Sequence, residues 1–169
     1  MKSKVLIIGL GGLGSPVLQY LAASGVGTIG LADNDKVDLS NLHRQIIFSL
    51  KDIGSYKVSK AKKFISAVNS DINVIPYKQK VDLLNVDKII SKYDIIVDCT
   101  DNHSSKLIIN DACYRGKKTL VYASVSGFFG QVSTFKSFKI DGTGNPYPSY
   151  RCLKINQNNE DDCEHLGVL

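Results

Sequence analysis

The side chains of this sequence that could do chemistry are grouped around a glycine cluster. Val5–Ile8 is an apolar run, and it leads straight into Gly9, Gly11, Gly12 and Gly14, of which Gly9, Gly11 and Gly14 satisfy G-x-G-x-x-G spacing. Glycines let a backbone turn sharply and let a phosphate approach without meeting a Cβ. Residues 17–23 then read as a helix, whose first N–H groups and dipole would face the anion. Asp33 stands about twenty residues past the cluster, where a dinucleotide fold places the acid that takes ribose hydroxyls. A plain strand-end turn is the competing reading for it. Arg44 lies in a polar loop with Asn41, His43 and Gln45. It could pair with phosphates bidentately, although such an arginine taken alone more often serves a surface ion pair. Lys57 falls in the first turn of a helix, where a cation is unfavourable with the dipole, which suggests a bound anion. Asp98 and Asp101 close a buried strand, and a carboxylate there could hold Mg²⁺ beside phosphates. Asn102 or a neighbour caps the following helix.

The elements that must position these groups alternate between strand and helix. Residues 28–33 form a second strand, and 34–45 a loop too long for a tight connection and able to overhang phosphates. Residues 55–68 make an amphipathic helix with Val58, Ala61, Phe64, Ile65 and Val68 on one face, leaving Lys60, Lys62 and Lys63 solvated. Residues 72–79 are a third strand, which Pro76 assigns to a sheet edge. A short helix over 83–92 precedes the buried strand 93–98. A helix follows over 105–115, with His103 at its start as a surface residue, and Cys99 and Cys113 as small buried apolar groups. Residues 119–124 are strand five, 125–130 turn the chain, and 131–138 alternate with period two, as in an antiparallel strand with one face in water.

Composition narrows the function classes. The chain has 169 residues, 43% apolar and 22% charged, which suits one domain with a sizeable core. No apolar run reaches the length of a membrane span. The first residues run directly into a strand, and the apolar core a signal peptide would need is consumed by the glycine turn, so the protein is read as cytoplasmic. The net charge of +5 comes from dispersed lysines. A nucleic-acid site would need a clustered patch with interleaved aromatics, and none is present. Cys99, Cys113, Cys152 and Cys163 contain no C-x-x-C pair, so free thiols are expected.

Taken together, the glycine stretch, Asp33-Asn34-Asp35, Ser40-Asn41-Leu42-His43-Arg44-Gln45, Gly54-x-x-Lys57 and Asp98-Cys99-Thr100-Asp101-Asn102 resemble the ThiF/MoeB/HesA family, relatives of the ubiquitin-activating enzymes. Phe129-Gly130-Gln131-Val132 and Tyr150-Arg151-Cys152-Leu153 extend the likeness over nearly the whole chain. The resemblance implies an ATP- and Mg²⁺-dependent adenylyltransferase. Its partner would be a small ubiquitin-like sulfur carrier of the thiamin or molybdopterin type, whose C-terminal Gly-Gly carboxylate is adenylated. Carried over by position, Gly12 lines the nucleotide pocket, beside the Gly9, Gly11 and Gly14 of the glycine spacing, and Asp33 takes the ribose. Asn41, Arg44 and Lys57 contact phosphates, and Asp101, beside Asn102, holds Mg²⁺. The resemblance also implies a homodimer, and thiol chemistry on the activated carrier at Cys163. Asp161, Asp162 and Glu164 around that cysteine favour the thiol over the thiolate.

The likeness is incomplete. A family helix before the first strand, with an arginine for the partner's ATP, has no counterpart. Ser149 stands in place of one cysteine of the zinc-binding pairs and the second pair is missing, which argues against structural zinc. His43 replaces the usual Asn or Gln. These departures, with the short length, point to a fragment, one piece of a split protein or a degenerate copy. They keep a non-catalytic partner-binding module as the alternative to an enzyme. A NAD-dependent oxidoreductase is a third reading, disfavoured by the 34–45 loop and the Asp101 turn. The expected fold is α/β: a Rossmann-like doubly wound parallel sheet ordered 3-2-1-4-5, with an antiparallel C-terminal extension after Gly130. Residues 1–140 form the ATP-binding domain, and 141–169 a loop or crossover segment with a composition suited to partial disorder.

Overall fold

The computed structural model describes residues 3–153. The strands are β1 (Lys4–Ile8), β2 (Thr28–Ala32), β3 (Asn73–Tyr77), β4 (Ile95–Asp98), β5 (Thr119–Ser126) and β6 (Phe129–Phe135). The helices are α1 (Gly14–Ala23), α2 (Lys57–Val68), α3 (Val86–Ile90) and α4 (His103–Arg115). The sheet order is β3-β2-β1-β4-β5-β6, parallel from β3 to β5, with β6 antiparallel to β5. This is the expected doubly wound α/β sheet with an antiparallel extension.

The period-two side-chain alternation of a strand accounts for the layers. Val5 and Ile7 of β1 point into one core with Leu18, Ile29, Leu31, Val58 and Ile65, beneath α1 and α2. Leu6 and Ile8 point into the other with Ile90, Ile96, Ile109 and Leu120, beneath α3 and α4. A strand apolar on both faces is buried on both faces, hence the uninterrupted Val-Leu-Ile-Ile run. β3 lies at the sheet edge, and its Pro76 pairs in register with Leu31.

Several boundaries differ from expectation. α2 begins at Lys57 because Tyr56 is extended and bridges to Lys36, which ties the residues before the helix into the loop. α3 is shorter because the Asp82 carboxylate accepts the N–H groups of Leu84 and Asn85 and holds them in a turn. The β5–β6 reversal takes only Gly127, at φ +55°, and Phe128, so both strands extend into the span read as a turn. β6 has no dry face until Phe135, and Phe128, Phe129 and Val132 are 90%, 82% and 79% exposed. No described helix is long and apolar enough to cross a membrane.

The tightest junction lies where β1 ends. Gly9 has φ +89°, and a Cβ there would come within 2.7 Å of the Cys99 carbonyl oxygen. Gly9→Ala is expected to lower stability by about 2–4 kcal/mol, since strain and backbone overlap combine. Urea unfolding followed by circular dichroism would register it as a lower midpoint at unchanged slope.

Candidate nucleotide-binding site

Three adjacent parallel strands end at one edge of the sheet. β1 lies between β2 and β4, so the turns after Ile8, Ala32 and Asp98 meet at the point where strand order reverses, the ligand-binding crevice of open α/β sheets. Gly14 packs α1 against the strand end: a Cβ there would overlap the Gly9 carbonyl. No side chain caps α1, and its first turn holds no acid. The Ser15 N–H donates to the Gly11 carbonyl at 3.0 Å and Pro16 has no N–H, so the helix dipole rather than a row of free amides is directed at the crevice.

Asp33 is held in place by backbone. Its two carboxylate oxygens accept the N–H groups of Leu10 and Asp35, each at 2.7 Å. Burial pushes its pKa above the usual carboxylate value, against the pull of those amides and of Lys57. Each oxygen keeps lone-pair capacity for a hydroxyl donor.

The 34–56 loop folds back over the glycine turn. The Arg44 stem lies against Gly12, where a Cβ would stand 3.3 Å from Arg44 Cδ. The Arg44 guanidinium donates to the Ser40 carbonyl at 3.2 Å and makes no ion pair among the described residues. Asn41 is half-buried beside it, and its carbonyl accepts the N–H groups of Arg44 and Gln45. Gln45 is 2% exposed and lies beneath Gly11, and its Oε1 has no hydrogen-bond partner among the described residues. Lys57 is buried, with Nζ 3.1 Å from the exposed Asp35 carboxylate. Its charge is therefore partnered within the protein, and its place in a first turn does not by itself require an anion. Lys60 is ion-paired with Asp52 at 2.9 Å and is not simply solvated.

At the end of β4 the two acids have different surroundings. Asp101 is exposed, and its nearest side-chain partner is the Asn102 amide at 3.3 Å. Asn102 caps α4, its Oδ1 accepting from the Ser105 N–H at 2.9 Å. Asp98 is fully buried. One of its oxygens accepts from the Thr100 N–H and hydroxyl, and the other lies 3.6 Å from Lys106 Nζ. Burial raises the Asp98 pKa, while Lys106 and Thr100 oppose that shift. Asp98 thus serves the core. Lys106, which donates to the Ala123 carbonyl at 2.9 Å and sits over the Tyr122 ring, was not signalled by its place in an ordinary amphipathic helix. Cys99 is also inert, its thiol pushed up to about 12 by burial and by Asp98. His103 is half-buried and bonded to Tyr150, in contrast to the surface placement expected of it. Cys163 lies outside the described residues.

A glycine turn on the first strand, an acid after the second and an acidic turn after the fourth meet at the crevice of an α/β protein of the doubly wound class. The ThiF family model matches residues 1–169, and the chain belongs to that family. It is 44% identical over 168 residues to a probable molybdopterin-synthase adenylyltransferase of Porphyra purpurea, covering 99% of this chain and 43% of that protein. A sulfur carrier protein adenylyltransferase of Thermus thermophilus is 39% identical over 152 residues, 90% of this chain and 55% of that protein. The crystal structure of E. coli MccB with MccA-N7isoASN matches with a TM-score of 0.80 and 29% identity, over 90% of this chain and 43% of that one. The chain thus spans about half the length of these relatives.

The Asp98–Lys106 pair gives a stability test. Lys106→Ala leaves a buried carboxylate unpaired and is expected to cost about 3–5 kcal/mol. Asp98→Asn combined with Lys106→Ala should recover part of that loss, giving a non-additive cycle in urea unfolding.

Proposed function

We propose that this chain is the nucleotide-binding part of an ATP-dependent adenylyltransferase. Its substrate would be the C-terminal Gly-Gly carboxylate of a ubiquitin-like sulfur carrier. The observation that carries the reading is the placement of Arg44: its stem lies on Gly12 and its guanidinium has no acidic partner among the described residues. An arginine held over an uncapped glycine turn suits a polyphosphate. The printed descriptions of the Porphyra and Thermus relatives support the same reaction class.

In this reading a carrier carboxylate oxygen attacks the α-phosphorus of ATP. The bond to the bridging oxygen breaks, pyrophosphate leaves, and an acyl adenylate remains. The carbonyl carbon thereby gains a leaving group it lacked. The protein's work is positioning and charge neutralisation. Asp33 takes the ribose hydroxyls, and Gly9, Gly11, Gly12 and Gly14 admit the phosphates to the backbone. Asn41 and Arg44 contact phosphate oxygens, and Lys57 divides its donors between Asp35 and a phosphate. Asp101 would hold Mg²⁺. One exposed carboxylate fits an ion that keeps several waters and takes its remaining oxygens from the substrate, and no cluster of three metal-ligating side chains occurs among the described residues. Bound there, the ion would neutralise developing phosphate charge. The homodimer and the thiol chemistry at Cys163 implied by the family resemblance belong to the same proposal.

Calorimetry with Mg·ATP tests the site. The wild type should bind in the micromolar range, and Arg44→Ala and Asp101→Ala should each weaken binding roughly tenfold or more. ATP–pyrophosphate exchange that depends on a Gly-Gly-ended carrier then tests the reaction. A wild-type chain that binds no Mg·ATP overturns the reading.

A further inference from the structure

The short 3-10 turn Tyr150–Leu153 is tied to α4 at two levels. Partway along the helix, the Tyr150 N–H donates to Asn110 Oδ1 at 3.0 Å, and Arg151 grips the Asp111 carboxylate with two donors, at 2.8 and 2.6 Å. At the helix start, the Tyr150 hydroxyl and His103 Nδ1 lie 2.8 Å apart. The first level is enough to dock the turn. The second reaches the residue next to the Asn102 cap.

Tyr150 is 3% exposed, with its ring centroid 4.9 Å from that of Tyr122. Burial pushes the phenol pKa upward. Packing alone would be served by a phenylalanine, since a buried hydroxyl must find a partner or incur its desolvation cost. The partner here is His103, the first residue of α4. Just outside the helix stands Asp101, exposed and with only the 3.3 Å contact to Asn102 among the described side chains. Asp101 directly precedes the Asn102 cap, which holds the Ser105 N–H at 2.9 Å. The His103–Tyr150 bond is a second hold on the same turn, at a helix end that frays where it is not held.

We propose that Tyr150 is a positioning residue of the nucleotide site: through its hydrogen bond to His103 it fixes the first turn of α4, and with it the Asp101 carboxylate that would receive Mg²⁺. The inference rests on the adenylation reading. It makes the docked turn part of the phosphate end of the site, although the turn itself contributes no ligand.

The test is a Mg²⁺ titration at fixed ATP on the full chain, followed by calorimetry, with a parallel ATP titration in EDTA. Tyr150→Phe and His103→Ala should each raise the half-saturating Mg²⁺ concentration roughly fivefold, the effect of one hydrogen bond. ATP affinity in EDTA should stay at the wild-type value. The double variant should be no worse than either single one. His103→Asn, whose carboxamide can reach the Nδ1 position, should restore most of the Mg²⁺ affinity. Equal losses with and without Mg²⁺ mark a merely structural role and overturn the inference, as does a Tyr150→Phe variant matching the wild type. A wild type that binds no Mg·ATP overturns this inference and the adenylation reading together.

Discussion

Gly9 has no side chain because the Cys99 carbonyl occupies the space one would need. The arrangement of the crevice follows from that contact. The Gly9 N–H donates to Ala32 at the end of β2, and the Cys99 N–H donates to Ile8 at the end of β1. Three strand ends are thereby locked side by side, and the turns leaving them diverge from one place. Gly14 repeats the device one turn later, closing α1 onto the Gly9 carbonyl. Backbone that approaches this closely cannot shift to suit a ligand. The crevice is therefore prearranged, the condition under which an electrostatic site avoids reorganisation.

Much of this was legible in the sequence because the governing signals are local. A both-faced apolar run, a glycine spacing and an acid about twenty residues on are written within a few elements. So were the edge position of Pro76 and the capping role of Asn102. The overhang of the 34–56 loop was legible in outline, since its length exceeds a tight connection. Its contact between Arg44 and Gly12 is a matter of three-dimensional folding.

The rest depends on partners distant in sequence. Nothing near Lys57 announces Asp35 as its counterion, because the pair forms only when α2 packs beside the end of β2. Lys106 reads as one more helix lysine until Asp98 and Tyr122 are seen beneath it. Tyr150 follows a stretch rich in Gly, Asn, Pro and Ser, which hides that it is a core residue. Gly30 looks like a poor strand residue, and only the Tyr93 ring packed on it explains why a side chain is excluded. In each case tertiary packing overrides local propensity.

The far side of the sheet is built differently from the crevice. Among the described residues β6 is the edge strand, wet on most of both faces, and it displays Phe129 and Val132 beside the bare Phe128 tip. Its outer row of backbone donors and acceptors has no strand beside it among the described residues. Natural edge strands usually blunt such a row with charge, proline or a bulge. None of these interrupts Phe129–Phe135. Among the described residues the sheet is therefore unterminated on this side. An exposed edge of this kind is a template on which another extended segment can pair, and it lies on the side of the sheet away from the crevice.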